Sequence, residues 1–383
     1  MLRADGPSSQ AAIARRLGVS PATVSSVVRD LRADGLLDLR RLNGRESLVA
    51  LAEPRTAVVA AEVNAQGVRV VLFDFTRHAR HERSVDPTSA DGPRMLVELI
   101  RTVTDSAGLE LADLAGVGVA IQSPVEPVTG TIASWAHHHL AGWLELPIAQ
   151  AMQDELGVTV IVENDANLAA LAEWTWGAGR GVEDFLYLMC ASGVGGGFIL
   201  NGRIYRGNAG LAGEIGHLVI EPSGPVCFCG SRGCVTTYVS ERSILLALEE
   251  SGARAQSLAE VIAAARAGDP ATRAVLWEVG RHLGRAVFSA TKIIAPSVIA
   301  VGGALSQAGP LIFDSLNSSV EVNSLRAVAS TSRVRPAELD ADATVLGAVA
   351  VVLEGIGRGI SELPDWMRHS RRDQPLTNPG SRS

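Results

Sequence analysis

GEIGHLVIEPSGPVCFCGSRGC, residues 213–234, decides the reading of this chain. It presents His217, nine intervening residues, Cys227-Phe228-Cys229, four more residues and Cys234. One imidazole and three thiolates at this spacing suit a closed tetrahedral zinc site. Gly230 and Gly233 let the chain turn tightly about an ion. With all four positions filled by protein, the zinc is expected to be structural and to leave no place for a substrate water. Glu214, three residues before His217, stands either to meet ligand hydroxyls or to steady the histidine. The fourth cysteine, Cys190, lies in an apolar run and reads as core.

Upstream, Val158 to Glu163 reads as a strand and Ala166 to Trp174 as a helix, with Glu163-Asn164-Asp165 at their junction. Ligands of α/β sheets bind at the carboxyl ends of strands. Asp165 can accept a hydrogen bond or a proton from a hydroxyl, and Asn164 can both donate and accept. The competing reading is that Asp165 caps the following helix. Ser192 to Gly197 is a glycine-rich stretch that either brings amides to a phosphate or sugar or makes a tight turn. Strand patterns at 56–62, 68–75, 114–122, 185–190, 197–200 and 298–301 alternate with helical ones, which indicates an α/β body. His137-His138-His139 has no carboxylate or cysteine pattern around it and reads as loop.

Residues 1–51 differ in kind. Ser9 to Leu31 reads as two helices about a Gly18-Val19 break, restarted by Ser20-Pro21, a cap followed by proline. Ile13, Ala14 and Leu17, then Val24, Val27, Val28 and Leu31, give the apolar stripes. Two short strands follow, joined by Arg40-Arg41-Leu42-Asn43-Gly44-Arg45, whose Asn-Gly pair signals a hairpin. This is a winged helix-turn-helix pattern. Ser20, Thr23, Ser25, Ser26 and Arg29 are expected to reach DNA from the second helix, and Arg41 and Arg45 from the wing. Only Met1 to Pro7 stand where a winged helix needs its first supporting helix.

Composition agrees with this division. Of 383 residues, 47% are hydrophobic and 20% charged, enough for a large core. The net charge is −7, but residues 1–51 hold eight Arg against five acids, a net of +3 that leaves −10 on the rest. A basic head on an acidic body fits a nucleic-acid module joined to a soluble domain. Mean hydropathy is +0.20, yet the late apolar run from Val345 to Leu353 is far below the ~20 residues of a spanning helix. With no signal-peptide pattern, a cytoplasmic protein without membrane contact is expected.

In order, ENDANLAALAE (163–173), the glycines of 193–197, GEIGH (213–217), CFCGSRGC (227–234) and Val301-Gly302-Gly303 resemble the ROK family of repressors, open reading frames and sugar kinases. The resemblance covers roughly residues 56–357, and the head resembles the winged helix of the repressor branch. It implies a two-lobed α/β body of actin-like, hexokinase-like (ribonuclease H-like) fold with a sugar in the cleft. It assigns Asn164, Asp165, Glu214 and His217 to the sugar, and His217, Cys227, Cys229 and Cys234 to structural zinc. In family kinases the Asp at position 165 is the general base. Two departures follow. Where kinases carry a D-x-G-G-T phosphate loop, this chain has Glu62-Val63-Asn64-Ala65-Gln66, which argues against kinase activity. Thr236 stands where members often carry a sugar-binding Glu.

The expected layout is a winged helix at 1–53, a sugar-binding body at 54–365 and a disordered tail at 366–383. The expected function is a repressor whose partners are a double-stranded DNA operator and a sugar or sugar-phosphate effector, acting as a homodimer or higher homo-oligomer. The alternatives are a sugar kinase with an accessory DNA-binding head, and a regulator controlled by a protein partner.

Overall fold

The computed structural model describes residues 2–41, 47–54, 56–86, 92–132, 140–144, 146–323 and 332–368. The head contains α1 (Leu2–Asp5), β1 (Ser8–Ser9), α2 (Gln10–Leu17), α3 (Pro21–Ala33), β2 (Leu37–Arg41) and β3 (Ser47–Leu51). The Ser9 hydroxyl accepts the Ala12 N–H at 3.2 Å and the Ser20 hydroxyl accepts that of Thr23 at 3.1 Å, so both helices start where a cap can satisfy an orphan donor. Gly18, at φ 66°, ends α2 in the left-handed conformation. The strands pair antiparallel in the order β1-β3-β2. Ile13, Ala14, Val24, Val28, Leu37 and Val49 form the head's core. Leu17 and Val27 do not join it and are 58% and 49% exposed, because so small a module covers only one side of each helix. Asn43-Gly44 and Arg45 lie outside the described residues, as does His137-His138-His139.

The body is built twice on one plan. The first sheet has β4 (Ala57–Asn64), β5 (Gly67–Asp74), β6 (Ala79–Val85), β7 (Leu114–Ile121) and β8 (Val160–Asn164), in the order β6-β5-β4-β7-β8. Its helices are α4 (Gly92–Ser106), α5 (Ile148–Leu156) and α6 (Asp165–Trp176). The second sheet has β9 (Phe185–Cys190), β10 (Val194–Leu200), β11 (Arg203–Tyr205), β12 (Val298–Gly302) and β13 (Arg333–Pro336), in the order β11-β10-β9-β12-β13. With it go α7 (Thr236–Val239), α8 (Glu241–Glu250), α9 (Leu258–Ala267), α10 (Pro270–Ile293), α11 (Pro310–Asn323), α12 (Ala343–Gly355) and α13 (Asp365–Arg368). In each sheet three antiparallel strands are followed by two parallel ones. Parallel pairing demands long crossovers, and helices supply them. This is the two-lobed fold that the resemblance implies.

Helix α6 lies at the centre, with all twelve of its residues buried. It packs on α12, whose Gly347 leaves no space for a Cβ against the Leu168 carbonyl. Three strands escape the sequence reading. β6, β11 and β13 are short or charged, and β6 (ARHERSV) is an edge strand that spends its charge on pairing. Arg80 meets Asp342 at 2.9 Å and Glu82 at 3.0 Å. β10 begins at Val194, three residues earlier than expected, so Gly195 to Gly197 are strand rather than loop.

One further expectation is corrected. Residues 366–368 are helical rather than tail: Met367 is buried and Trp366 stacks on His78 with centroids 5.6 Å apart. Residues 369–383 lie outside the described residues. Before Ser9, where a winged helix needs its first supporting helix, stands the single turn α1 (Leu2–Asp5), a short form of that helix. Asp5 of that turn pairs with Arg16 at 2.9 Å, and α1 lies against β3 and α6. The segment 356–363 straps the head to the body. Ser361 Oγ accepts the Leu51 N–H at 2.8 Å, Glu362 pairs with Arg40 at 2.7 Å, and Arg358 donates to the Gly35 carbonyl. The Trp176 indole at the end of α6 donates to the Ile360 carbonyl at 3.1 Å.

Candidate functional site

β8 runs straight into α6, which places residues 163–165 at a carboxyl end of the first sheet. Asn164, not Asp165, caps the helix: its Oδ1 accepts the Asn167 N–H at 3.0 Å. Its amide donates to the Ser123 carbonyl at 3.1 Å and to Asp165 Oδ1 at 3.2 Å. Glu163 anchors the junction. It accepts from the Asn164 N–H at 2.9 Å, from Asn167 at 3.0 Å and from Arg206 at 2.6 Å. Arg206 arrives from the other sheet, and no feature of the sequence announced it.

Relieved of capping, the Asp165 carboxyl is buried and accepts the Ala166 N–H at 2.8 Å. Its pKa is pushed up to about 7, first by burial and further by the carboxylates of Glu62 and Glu214. Burial also pushes Glu214 up to about 7. Asn164, Asp165, Glu214 and His217, expected together from sequence, line one cavity of about 950 Å3 with Gln122 and Ser192.

Gln122 was not foreseen and closes the end of the cavity nearest residues 62–66. There β4 and β5 are joined by the two-residue turn Ala65-Gln66. The Ala65 N–H donates to Gln122 Oε1 at 3.0 Å and the Gln66 N–H to Asn64 Oδ1 at 2.9 Å. Gln122 Nε2 reaches Ser192 Oγ at 3.0 Å, joining the two lobes. Glu62, raised by burial, accepts from the Asn64 amide at 3.3 Å.

His217, Cys227, Cys229 and Cys234 converge as the spacing predicts. Their donor atoms lie within 4.8 Å of one another. Cys227 Sγ is 3.5 Å from His217 Nδ1, and Cys229 Sγ is 3.7 Å from Cys234 Sγ. Metal–sulfur bonds of ~2.3 Å in a tetrahedron set donors about 3.8 Å apart, so the set fits one metal ion. Backbone bridges Val219–Cys234 and Val226–Arg232 hold the loop around it. The imidazole faces two ways, with Nε2 3.8 Å from the Glu214 carboxylate. Cys190 is buried, and burial drives its thiol up to about 12, as befits core.

In the head, Ser20, Thr23, Ser25, Arg29 and Arg41 are exposed and Ser26 is half-buried. Ser20 also shares a 2.7 Å hydroxyl contact with Thr23, and Arg29 donates to Ser26 at 3.0 Å.

A winged helix strapped to a two-lobed body defines a DNA-binding regulator, and its interlobe cavity carries Asn164, Asp165, Glu214 and His217. Residues 58–354 match the ROK family and residues 1–44 the MarR family. The chain belongs to the ROK family and, with its winged helix, is a transcriptional regulator of that family. It is 28% identical over 372 residues to the DNA-binding transcriptional dual regulator NagC of Escherichia coli K12, covering 93% of this chain and 91% of that one. A glucokinase of Halalkalibacterium halodurans is 34% identical over 251 residues, 62% of this chain and 75% of that one. In fold, the crystal structure of a ROK family transcriptional regulator, a homologue of the E. coli MLC protein, superposes with a TM-score of 0.74 at 21% identity, covering 90% and 91% of the two chains. Among the described residues no helix is long and apolar enough to cross a membrane.

Proposed function

We propose that this protein binds an operator through its head and that a sugar in the interlobe cavity sets its affinity for that operator. The observation that carries the reading is the position of α6. Its first residue, Asp165, lines the cavity, and its last, Trp176, holds the strap that holds the wing strand β3. Asn164, Asp165, Glu214 and His217 supply donors and acceptors for sugar hydroxyls. A sugar that tightens the lobes about α6 moves the strap and the two heads of a homodimer on a pseudo-palindromic site. The shift is bounded by the sugar's differential affinity for the two states. Ser20, Thr23, Ser25, Ser26, Arg29, Arg41 and Arg45 meet the DNA, and the acidic body leaves contact to them.

The metal at His217, Cys227, Cys229 and Cys234 is read as structural zinc. It fixes the loop that carries Glu214 and His217 into the cavity, and chelation should unfold residues 217–234.

Kinase activity is the second reading, favoured by the Asp165 carboxyl, whose pKa near 7 suits a general base. Against it stands the 64–67 turn. Both of its central amides are spent on side chains, and phosphoryl transfer depends almost wholly on positioned phosphate and metal. A gel-shift titration with a panel of sugars, run on wild type and Asp165→Ala, tests the regulator reading. Operator affinity is expected to change with one sugar in the wild type and with none in the variant. Affinity indifferent to every sugar sinks it, and sugar-dependent ADP release would install the kinase in its place.

A further inference from the structure

The cavity that holds Asp165 and Glu214 is far larger than one sugar ring needs. At about 950 Å3 it reaches the upper end of the ~300–1,000 Å3 range of clefts that enclose drug-sized ligands. Its far part is built by α7, α8 and α10, away from the β8–α6 junction. Tyr238 on α7 and His282 on α10 stack there, with ring centroids 4.3 Å apart and planes inclined by 24°. Leu246 and Val275 add apolar surface.

The charge of the lining sorts the candidates. Glu250 and Glu278 join Asp165 and Glu214 around the cavity, against the single guanidinium of Arg242. A phosphate would meet four carboxyl groups and one cation. A neutral polyol suits the same wall, since its hydroxyls donate to carboxylates and accept from Arg242, and its C–H faces lie against aromatic rings and Leu246.

We infer that the cavity takes a neutral, extended glycoside, with one sugar ring at Asp165 and Glu214 and a second ring against the stacked Tyr238 and His282. The inference rests on the reading of Asp165 and Glu214 as sugar-binding. It narrows the effector to a disaccharide or an aryl glycoside and excludes a sugar phosphate.

Calorimetric titration of the full-length protein tests it with hexoses and pentoses, their 6- or 5-phosphates, disaccharides containing the same sugars, and their phenyl glycosides. A disaccharide or phenyl glycoside is expected to bind at least about tenfold more tightly than the monosaccharide it contains. His282→Ala should remove most of that gain and leave monosaccharide affinity unchanged, which also shows that the variant is folded. His282→Phe, which keeps a flat ring against Tyr238, should restore part of the gain. A monosaccharide that binds as tightly as every disaccharide and phenyl glycoside built on it overturns the inference and leaves the sugar reading standing. So does a sugar phosphate that binds best. Binding by no sugar at all overturns both.

Discussion

The two ends of α6 lie in opposite kinds of environment, although twelve buried residues join them. At Asp165 the helix begins in a cavity, where burial and the carboxylates of Glu62 and Glu214 raise its pKa. At Trp176 it ends in packed protein, its indole donating to the Ile360 carbonyl. The first end stores unfavourable electrostatics and the second is satisfied. A ligand that donates to Asp165 relieves the strained end, while the satisfied end offers a rigid contact through which a displacement reaches the strap. The cavity end and the strap end are thus separated by about 18 Å of helix at 1.5 Å per residue.

Removing the carboxylate at the strained end should give the largest effect. The Asp165 pKa is raised from 3.8 to about 7, so the folded state prefers the protonated form. The stability this group contributes is fully present below pH ~4 and is lost as pH rises through about 7. Asp165→Asn keeps the acceptor for the Ala166 N–H and cannot ionise. It should match wild type only below pH ~4 and exceed it by roughly 2–4 kcal/mol at pH 8, since each pKa unit is worth ~1.4 kcal/mol. Urea midpoints of both proteins across that range provide the check, and parallel curves would refute the strain.

The satisfied end should respond more weakly and differently. Trp176→Phe keeps an aromatic ring in the core and deletes the bond to Ile360, at a cost of about 1–3 kcal/mol if the carbonyl is left unpaired. Sugar affinity should stay within about twofold, because Trp176 does not line the cavity. The sugar's effect on operator affinity should shrink. Should the variant bind sugar and answer to it as wild type does, the strap is not the route.

How much of this contrast the sequence held depends on the range of the interactions. Asn164-Asp165 and Glu214…His217…Cys234 are local patterns whose chemistry is written in residue type and spacing, and they converged. Asp165's role as cap or ligand was ambiguous, because either Asn164 or Asp165 has the chain chemistry of a cap. Only the Asn164–Asn167 bond settles it. Gln122, Arg206, Trp176 and Ser361 act across the fold, on partners 57, 43, 184 and 310 residues away. No local periodicity encodes such pairings. Leu17 and Val27 were misread for the converse reason. Periodicity marks an apolar stripe, but how wide a stripe is covered depends on what packs against it.

The smallest effect belongs to the outer contact of the strap, and it sharpens the comparison because its two partners should behave unequally. Arg40 on β2 and Glu362 on the strap are 2.7 Å apart, and each is about half exposed, at 43% and 52%. Exposed pairs of this kind contribute about 0–1 kcal/mol. Glu362→Ala and Arg40→Ala should therefore lower thermal stability alike, by no more than a few degrees. Their effects on the operator should diverge. Arg40 stands on the wing strand beside exposed Arg41 and keeps a longer contact to Glu53 at 4.0 Å, so Glu362→Ala removes one of its two acidic partners and should tighten operator binding slightly at low salt. Arg40→Ala should loosen it and reduce the salt slope by about one charge. If both variants move operator affinity in the same direction and to the same extent, the pair acts only as a fastening for the strap, and Arg40 has no share in the DNA contact.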